Sequence, residues 1–212
     1  MTTTPPAPQL DIRRGAERSR TELPWLDSNH SFSYGLRDDP SNVHHGVLLV
    51  NNDDTVRAGS GFGTHPHQDM EIVTWVLTGS LVHQDSEGHC GVIYPGLAQR
   101  MSAGTGILHS EKNDSWRLSG GLAHSEPVRF VQMWVPPDEP GITPGYEQIE
   151  VDNQLLSGGL VPVASGMASM TAGVPYGSRT DTPHCTWHAW RSVTASNCRT
   201  RPSFTSSWLK ER

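Results

Sequence analysis

Three cysteines in 212 residues are too few for a scaffold built on disulfides, and two of them, Cys185 and Cys198, lie near the C-terminus. No apolar run approaches the roughly 18 residues that a membrane-spanning helix requires, so no membrane partner is expected. The opening MTTTPPAPQL lacks the basic-then-apolar order of a secretory leader. The expected compartment is therefore the cytosol. Charged residues amount to 18% with a net charge of −6, which excludes a general nucleic-acid binder because phosphate neutralisation needs a basic patch. No glycine loop of the phosphate-cradling type is present. Helix-friendly composition is missing too: 21 Gly and 16 Pro exclude a helical bundle and point to a turn-rich, all-β chain.

Residues 1–9 form a Pro/Thr tail with nothing to bury, expected to be disordered, and order is expected from Leu10. From Val43 short apolar runs follow one another between turn residues: HHGVLLVNNDD, MEIVTWVLTGS, GVIYPG, GTGILHSE and PVRFVQMWVPPDEPG. That rhythm predicts an antiparallel sandwich or barrel. In EIVTWVLTG the β-branched and aromatic content favours strand over helix. Thr78-Gly79-Ser80 is read as a hairpin turn with LVHQDS as the return strand. From about Gly141 the chain is expected to leave this first sheet, with a connector over residues 149–163 that contains a short helix before LVPVAS.

Eleven histidines invite a metal hypothesis, and spacing decides which ones matter. His65 and His67 are one residue apart, so on a strand both imidazoles point to one face, and Glu71 keeps that parity if the strand continues. Pro66 between them has no N–H and suits a strand start or edge. By itself HPH is equally compatible with a polar strand edge. About 40 residues on, His109 and Glu111 repeat the i, i+2 pair directly after GTGIL. Two such pairs joined by a barrel would supply three imidazoles and a carboxylate, a set suited to Fe(II), Mn(II), Ni(II), Zn(II) or Cu(II).

HPHQDMEIVTWVLTG followed by PGLAQRMSAGTGILHSEKN resembles the two cupin motifs, and the combination through MSAGTGILHSE resembles the pirin family over residues 10–165. The resemblance implies a bicupin of two double-stranded β-helix (jelly-roll) barrels, here with an incomplete second barrel. It divides the chain into a cupin domain over 10–140, a connector and start of a second cupin domain over 141–170, and an aberrant tail over 171–212. It also implies that His65, His67, His109 and Glu111 ligate one divalent metal ion, Fe(II) first among the candidates. Glu71 stands where many other cupins place a ligating glutamate, and the pirin pattern ranks Glu111 above it.

Pirin-like proteins are associated with quercetin 2,3-dioxygenase activity, in which the metal binds the deprotonated flavonol and dioxygen opens the ring with loss of carbon monoxide. The implied substrate is a small flavonol-like aromatic. Glu111 would then be both ligand and catalytic base for the flavonol hydroxyl. Ile72, Trp75, Met101, Met133 and Trp134 are candidates to line the cavity, with core packing as the alternative. A second function implied by the family is a redox-responsive binding protein, whose protein partner is a transcription factor or a metabolic enzyme. Cys90, in EGHCG, is read as a bystander rather than a nucleophile. His83, His89 and His124 are read as surface residues, with a supporting role behind the ligands as the alternative.

After LVPVAS the pirin-like pattern stops. Residues 174–212 carry six basic and two acidic side chains, a charge of +4, which leaves −10 for residues 1–173. A changed reading frame is one explanation of the shift. When the third base of each codon is joined to the first two of the next, HCTWHAW forces Leu at the His184/Cys185 junction and Ala at Trp187/His188, and permits LHVARL. Continued over residues 190–210, the shift permits AVSHGEQLPDAPFLHLFVAKG, which reads as turn, alternating apolar strand, turn. Residues 171–212 are therefore expected to be an out-of-frame translation with no selected site; a lineage-specific disordered tail is the alternative. An uninterrupted gene with no pirin-like coding sequence downstream would sink the frame-shift reading.

Overall fold

The computed structural model describes residues 14–33, 39–114 and 125–151, together with Ile12 and Ala164. After one 3-10 turn at Gly15–Glu17, the chain forms β1 (Ser19–Glu22), β2 (Leu26–His30), β3 (Val50–Val56), β4 (Gly61–His67), β5 (Glu71–Thr78) and β6 (Leu81–Asp85). It continues with β7 (Cys90–Ile93), β8 (Leu97–Ser102), β9 (Ile107–Lys112), β10 (Val128–Val135) and β11 (Gly145–Glu150). A seven-stranded sheet has the order β1-β2-β3-β10-β5-β8-β11, and a four-stranded sheet the order β4-β9-β6-β7. Every pairing between these strands is antiparallel.

Two apolar clusters fill the space between the sheets. One gathers Leu26, Val56, Val76, Leu81, Ile93, Val128 and Phe130, the other Ile72, Met101, Ala103 and Ile107. Burying a side chain such as Phe130 stabilises the fold by about 1.5–3 kcal/mol. Along β5 and β10 the inward positions pass from one cluster to the other, and Thr74 and Gln132 lie between them. On the facing strand β9, His109 and Glu111 fall in the same middle band, beyond Ile107. The barrel thus has a polar belt between two apolar ends.

Several local expectations change. Thr78-Gly79-Ser80 is not a hairpin turn, because β5 belongs to the seven-stranded sheet and β6 to the other. The chain turns a corner there. Gly79 has a φ of +76°, and a Cβ on it would lie 2.8 Å from the carbonyl oxygen of Pro127, so only glycine fits the corner. Nor does the chain leave the sheet at Gly141: residues 145–150 return as β11 and pair with β8. β1 and β2 were not expected from SRTE and LDSNH, which are short and mostly polar. In HHGVLLVNNDD the strand is VNNDDTV, while Val47 is 68% exposed, so the apolar run precedes the strand. The expected tail 1–9, the connector beyond Val151 apart from Ala164, the second barrel and residues 171–212 lie outside the described residues, as does His124.

Candidate metal centre

Strand β4 reaches β9 through an irregularity. Phe62 pairs with Glu111 and His65 with His109, and the register shifts between Phe62 and His65. Gly63 and Thr64 together stand opposite the single residue Ser110, a bulge of one extra residue that re-aims the HPH segment towards the barrel interior. His67 then pairs with Ile107. The rings of His65, His67 and His109 stand 4.4 to 4.9 Å apart, centre to centre. One ligand atom from each of the three lies within 4.8 Å of the others.

The nitrogen lone pairs are set up for a cation. His65 Nδ1 donates to the Gly63 carbonyl oxygen at 2.8 Å, which leaves Nε2 as the nitrogen facing the cluster. That Nε2 lies 3.0 Å from His109 Nε2. Two nitrogens bound at right angles to an ion at about 2.1 Å would be roughly 3 Å apart, so the spacing fits a shared metal. His67 Nε2 and His109 Nδ1 are buried without a hydrogen-bond partner among the described residues, a costly arrangement unless something else satisfies them. Burial, reinforced by the nearby His65, pushes His67 down to about 4. Burial also holds His109 well below the usual imidazole range, with His83, His65 and His67 adding to it. Both rings are therefore neutral at neutral pH and able to bind a cation.

Glu111 is 3% exposed and held from the opposite sheet. Gln132 Nε2 donates to its two carboxylate oxygens at 2.9 and 3.0 Å, and Trp134 Nε1 donates to Gln132 Oε1 at 2.9 Å, which fixes which way the amide faces. The carboxylate groups with His109 and with a residue read as a surface position, His83. His83 is fully buried on β6, directly opposite Glu111. The missed signal is local: in LVHQDS, His83 and Asp85 share the same i, i+2 parity as the other pairs.

Glu71 is elsewhere. β4 ends at His67 and β5 begins in the other sheet, so the parity with HPH is broken. Its side chain points to the outer face of that sheet, where Oε2 accepts from Arg100 Nη1 at 3.0 Å and from Ser102 Oγ at 2.6 Å. Of the candidate lining residues, Trp134 meets the edge of His67 at 4.8 Å, and Ile72 and Met101 belong to the adjoining apolar cluster. Trp75 and Met133 have the opposite strand parity and face away. A cleft of about 440 Å³ borders His67, lined also by Gln68, Ser86 and Ile107.

Asp54, on β3, is a buried acid outside the ligand set. Burial pushes it up to about 6; a Ser28 hydrogen bond opposes this and the nearby Glu111 adds to it. Its folded value lies above the unfolded 3.8, so the native state is progressively penalised as pH rises from 3.8 through 6. Asp54→Asn removes that penalty. The variant's stability advantage over wild type should grow by roughly 2 kcal/mol between pH 4 and pH 7, read from urea midpoints. An advantage independent of pH would show that Asp54 titrates normally.

Two antiparallel sheets closed around an inward cluster of imidazoles and a carboxylate define a β-barrel of the cupin class with a candidate metal site. Residues 13–135 match the pirin family, and the chain belongs to it. A Mycobacterium tuberculosis protein provisionally named a quercetin 2,3-dioxygenase is 61% identical over 163 residues, 77% of this chain and 64% of that protein. The quercetin 2,3-dioxygenase of Escherichia coli K12 is 47% identical over 141 residues, 66% of this chain and 58% of that one. Among solved structures, the E. coli bacterial pirin YhhW in complex with nickel(II) superposes with a TM-score of 0.59 at 44% identity, covering 66% of this chain and 57% of that one. The chain thus spans less than two thirds of the length of these relatives.

Proposed function

We propose that this chain carries the metal centre of a quercetin 2,3-dioxygenase-type flavonol oxidation, with His65, His67, His109 and Glu111 as ligands of one divalent ion, Fe(II) by first choice. The observation that supports it best is the 3.0 Å approach of two imidazole Nε2 atoms beside buried, unpartnered ring nitrogens. The names of the relatives point to the same substrate class. When bound, the ion supplies Lewis-acid activation of a chelating enolate and an electron path to dioxygen.

The chain's own residues do the rest. The Gly63 carbonyl orients His65, and burial keeps His67 and His109 unprotonated. Glu111 takes the proton of the flavonol hydroxyl at a carboxylate oxygen, and Gln132 holds that carboxylate inward through the transfer. Ile72, Met101 and Trp134 form an apolar wall that keeps water from the reacting ring. The cleft beside His67 is the proposed approach for the substrate, and the cytosol the proposed compartment.

Metal analysis of the reconstituted full chain, paired with oxygen uptake on quercetin, tests this. One metal per chain and flavonol-dependent uptake are expected. Stoichiometric metal without such uptake would replace the enzyme with a redox-responsive binding protein, and no metal would remove both readings.

A further inference from the structure

We infer that the barrel holds a second, inner cation position formed by His83, His109 and Glu111, which shares two donors with the proposed four-ligand centre. The inference rests on that centre being a metal site and adds a donor to it. One ligand atom from each of the three residues lies within 4.8 Å of the others, and all three residues are buried.

Strand register explains why the carboxylate falls on this side. Across β9, Glu111 faces Phe62 on β4 but His83 on β6, while His65 faces His109 and His67 faces Ile107. The HPH pair is therefore displaced along β9 away from Glu111, and His109 is the imidazole that the HPH cluster and the His83–Glu111 cluster share, while the four-ligand centre takes Glu111 as well. Sharing His109 and Glu111 makes the two positions alternatives for a single ion.

His83 is prepared as a ligand. Its Nε2 lies 3.0 Å from Asp85 Oδ2, so Nε2 carries an N–H that donates to the carboxylate and Nδ1 is the nitrogen left to meet an ion. That Nδ1 is buried and has no hydrogen-bond partner among the described residues. A carboxylate behind a histidine fixes ring orientation and raises ligand basicity. Asp85 is itself fixed by the backbone N–H groups of Glu87 and His89, at 3.0 and 2.9 Å. Tyr146 stacks on the His83 ring at 4.4 Å and 24°, and Gly91 leaves the room for it, since a Cβ there would lie 2.9 Å from the Tyr146 hydroxyl. A buried ring with one nitrogen anchored, one unsatisfied and both its tilt and position held has the features of a metal ligand. Two imidazoles and a carboxylate with open positions suit a first-row divalent ion.

The test is Co(II) titration of the full chain, followed by visible absorption and equilibrium dialysis. Wild type should bind one Co(II). His65→Ala/His67→Ala should still bind one, at least about 10-fold more weakly, and adding His83→Ala should abolish saturable binding. Asp85→Asn in the double-variant background should weaken Co(II) by roughly 10- to 100-fold. His83→Gln, closer in volume, replaces His83→Ala if the latter unfolds. No Co(II) bound by the double variant, or equal binding with and without His83, overturns the inner position while wild-type binding keeps the outer centre standing. No binding by wild type overturns both.

Discussion

Replacing His109 with alanine should remove the metal from this protein more completely than any other single change. His109 is the one imidazole common to the His65–His67 cluster and to the His83–Glu111 cluster. Loss of a partner that merely orients a ligand costs about 10- to 100-fold in affinity, so loss of a shared ligand should raise the Kd for Ni(II) or Co(II) by more than about 100-fold. His65→Ala, by contrast, leaves the inner donors in place and should lower affinity without abolishing it. Because His109 is 2% exposed, alanine also opens a cavity. His109→Phe fills the space with a somewhat larger ring and removes both nitrogens, and it should lose metal equally. Metal retained at wild-type affinity in either variant, measured by equilibrium dialysis, would place the ion away from His109.

The second large effect is on turnover. Glu111→Gln keeps the shape of the side chain and an oxygen for Gln132 to bond, but removes the charge that takes a proton. General-base catalysis contributes about 10²- to 10⁴-fold, so kcat on a flavonol should fall by that order at saturating metal. KM should change little, because the apolar wall and the cleft beside His67 are untouched. Stopped-flow or oxygen-electrode kinetics at metal concentrations well above the Kd separate this from weakened metal binding. A kcat within a few-fold of wild type would assign the proton transfer to another group.

Gln132 shows why such a site is only partly readable beforehand. Its amide controls both oxygens of Glu111, yet it lies on β10, 21 residues further on and in the opposite sheet. Nothing in RFVQMWV marks that glutamine as different from a surface residue. Trp134 presents the same difficulty, since its inward direction follows from the β10 register with β5 rather than from any local pattern. His83 was closer to being legible, because its spacing to Asp85 repeats the parity of the ligand pairs.

The sequence by itself determined the β class, the positions of strands β5, β6, β7, β9 and β10, and the candidate pairs His65/His67 and His109/Glu111, while β8 in LAQRMS went unread. Strand periodicity and ligand spacing are properties of a few neighbouring residues, so they are written locally. Only the tertiary structure decided which sheet each strand joined. It turned Glu71 outward onto Arg100, brought β11 back to the first sheet and set His83 opposite Glu111. Those outcomes depend on the bulge after Phe62 and the corner at Gly79, where backbone geometry between distant strands fixes what each side chain meets.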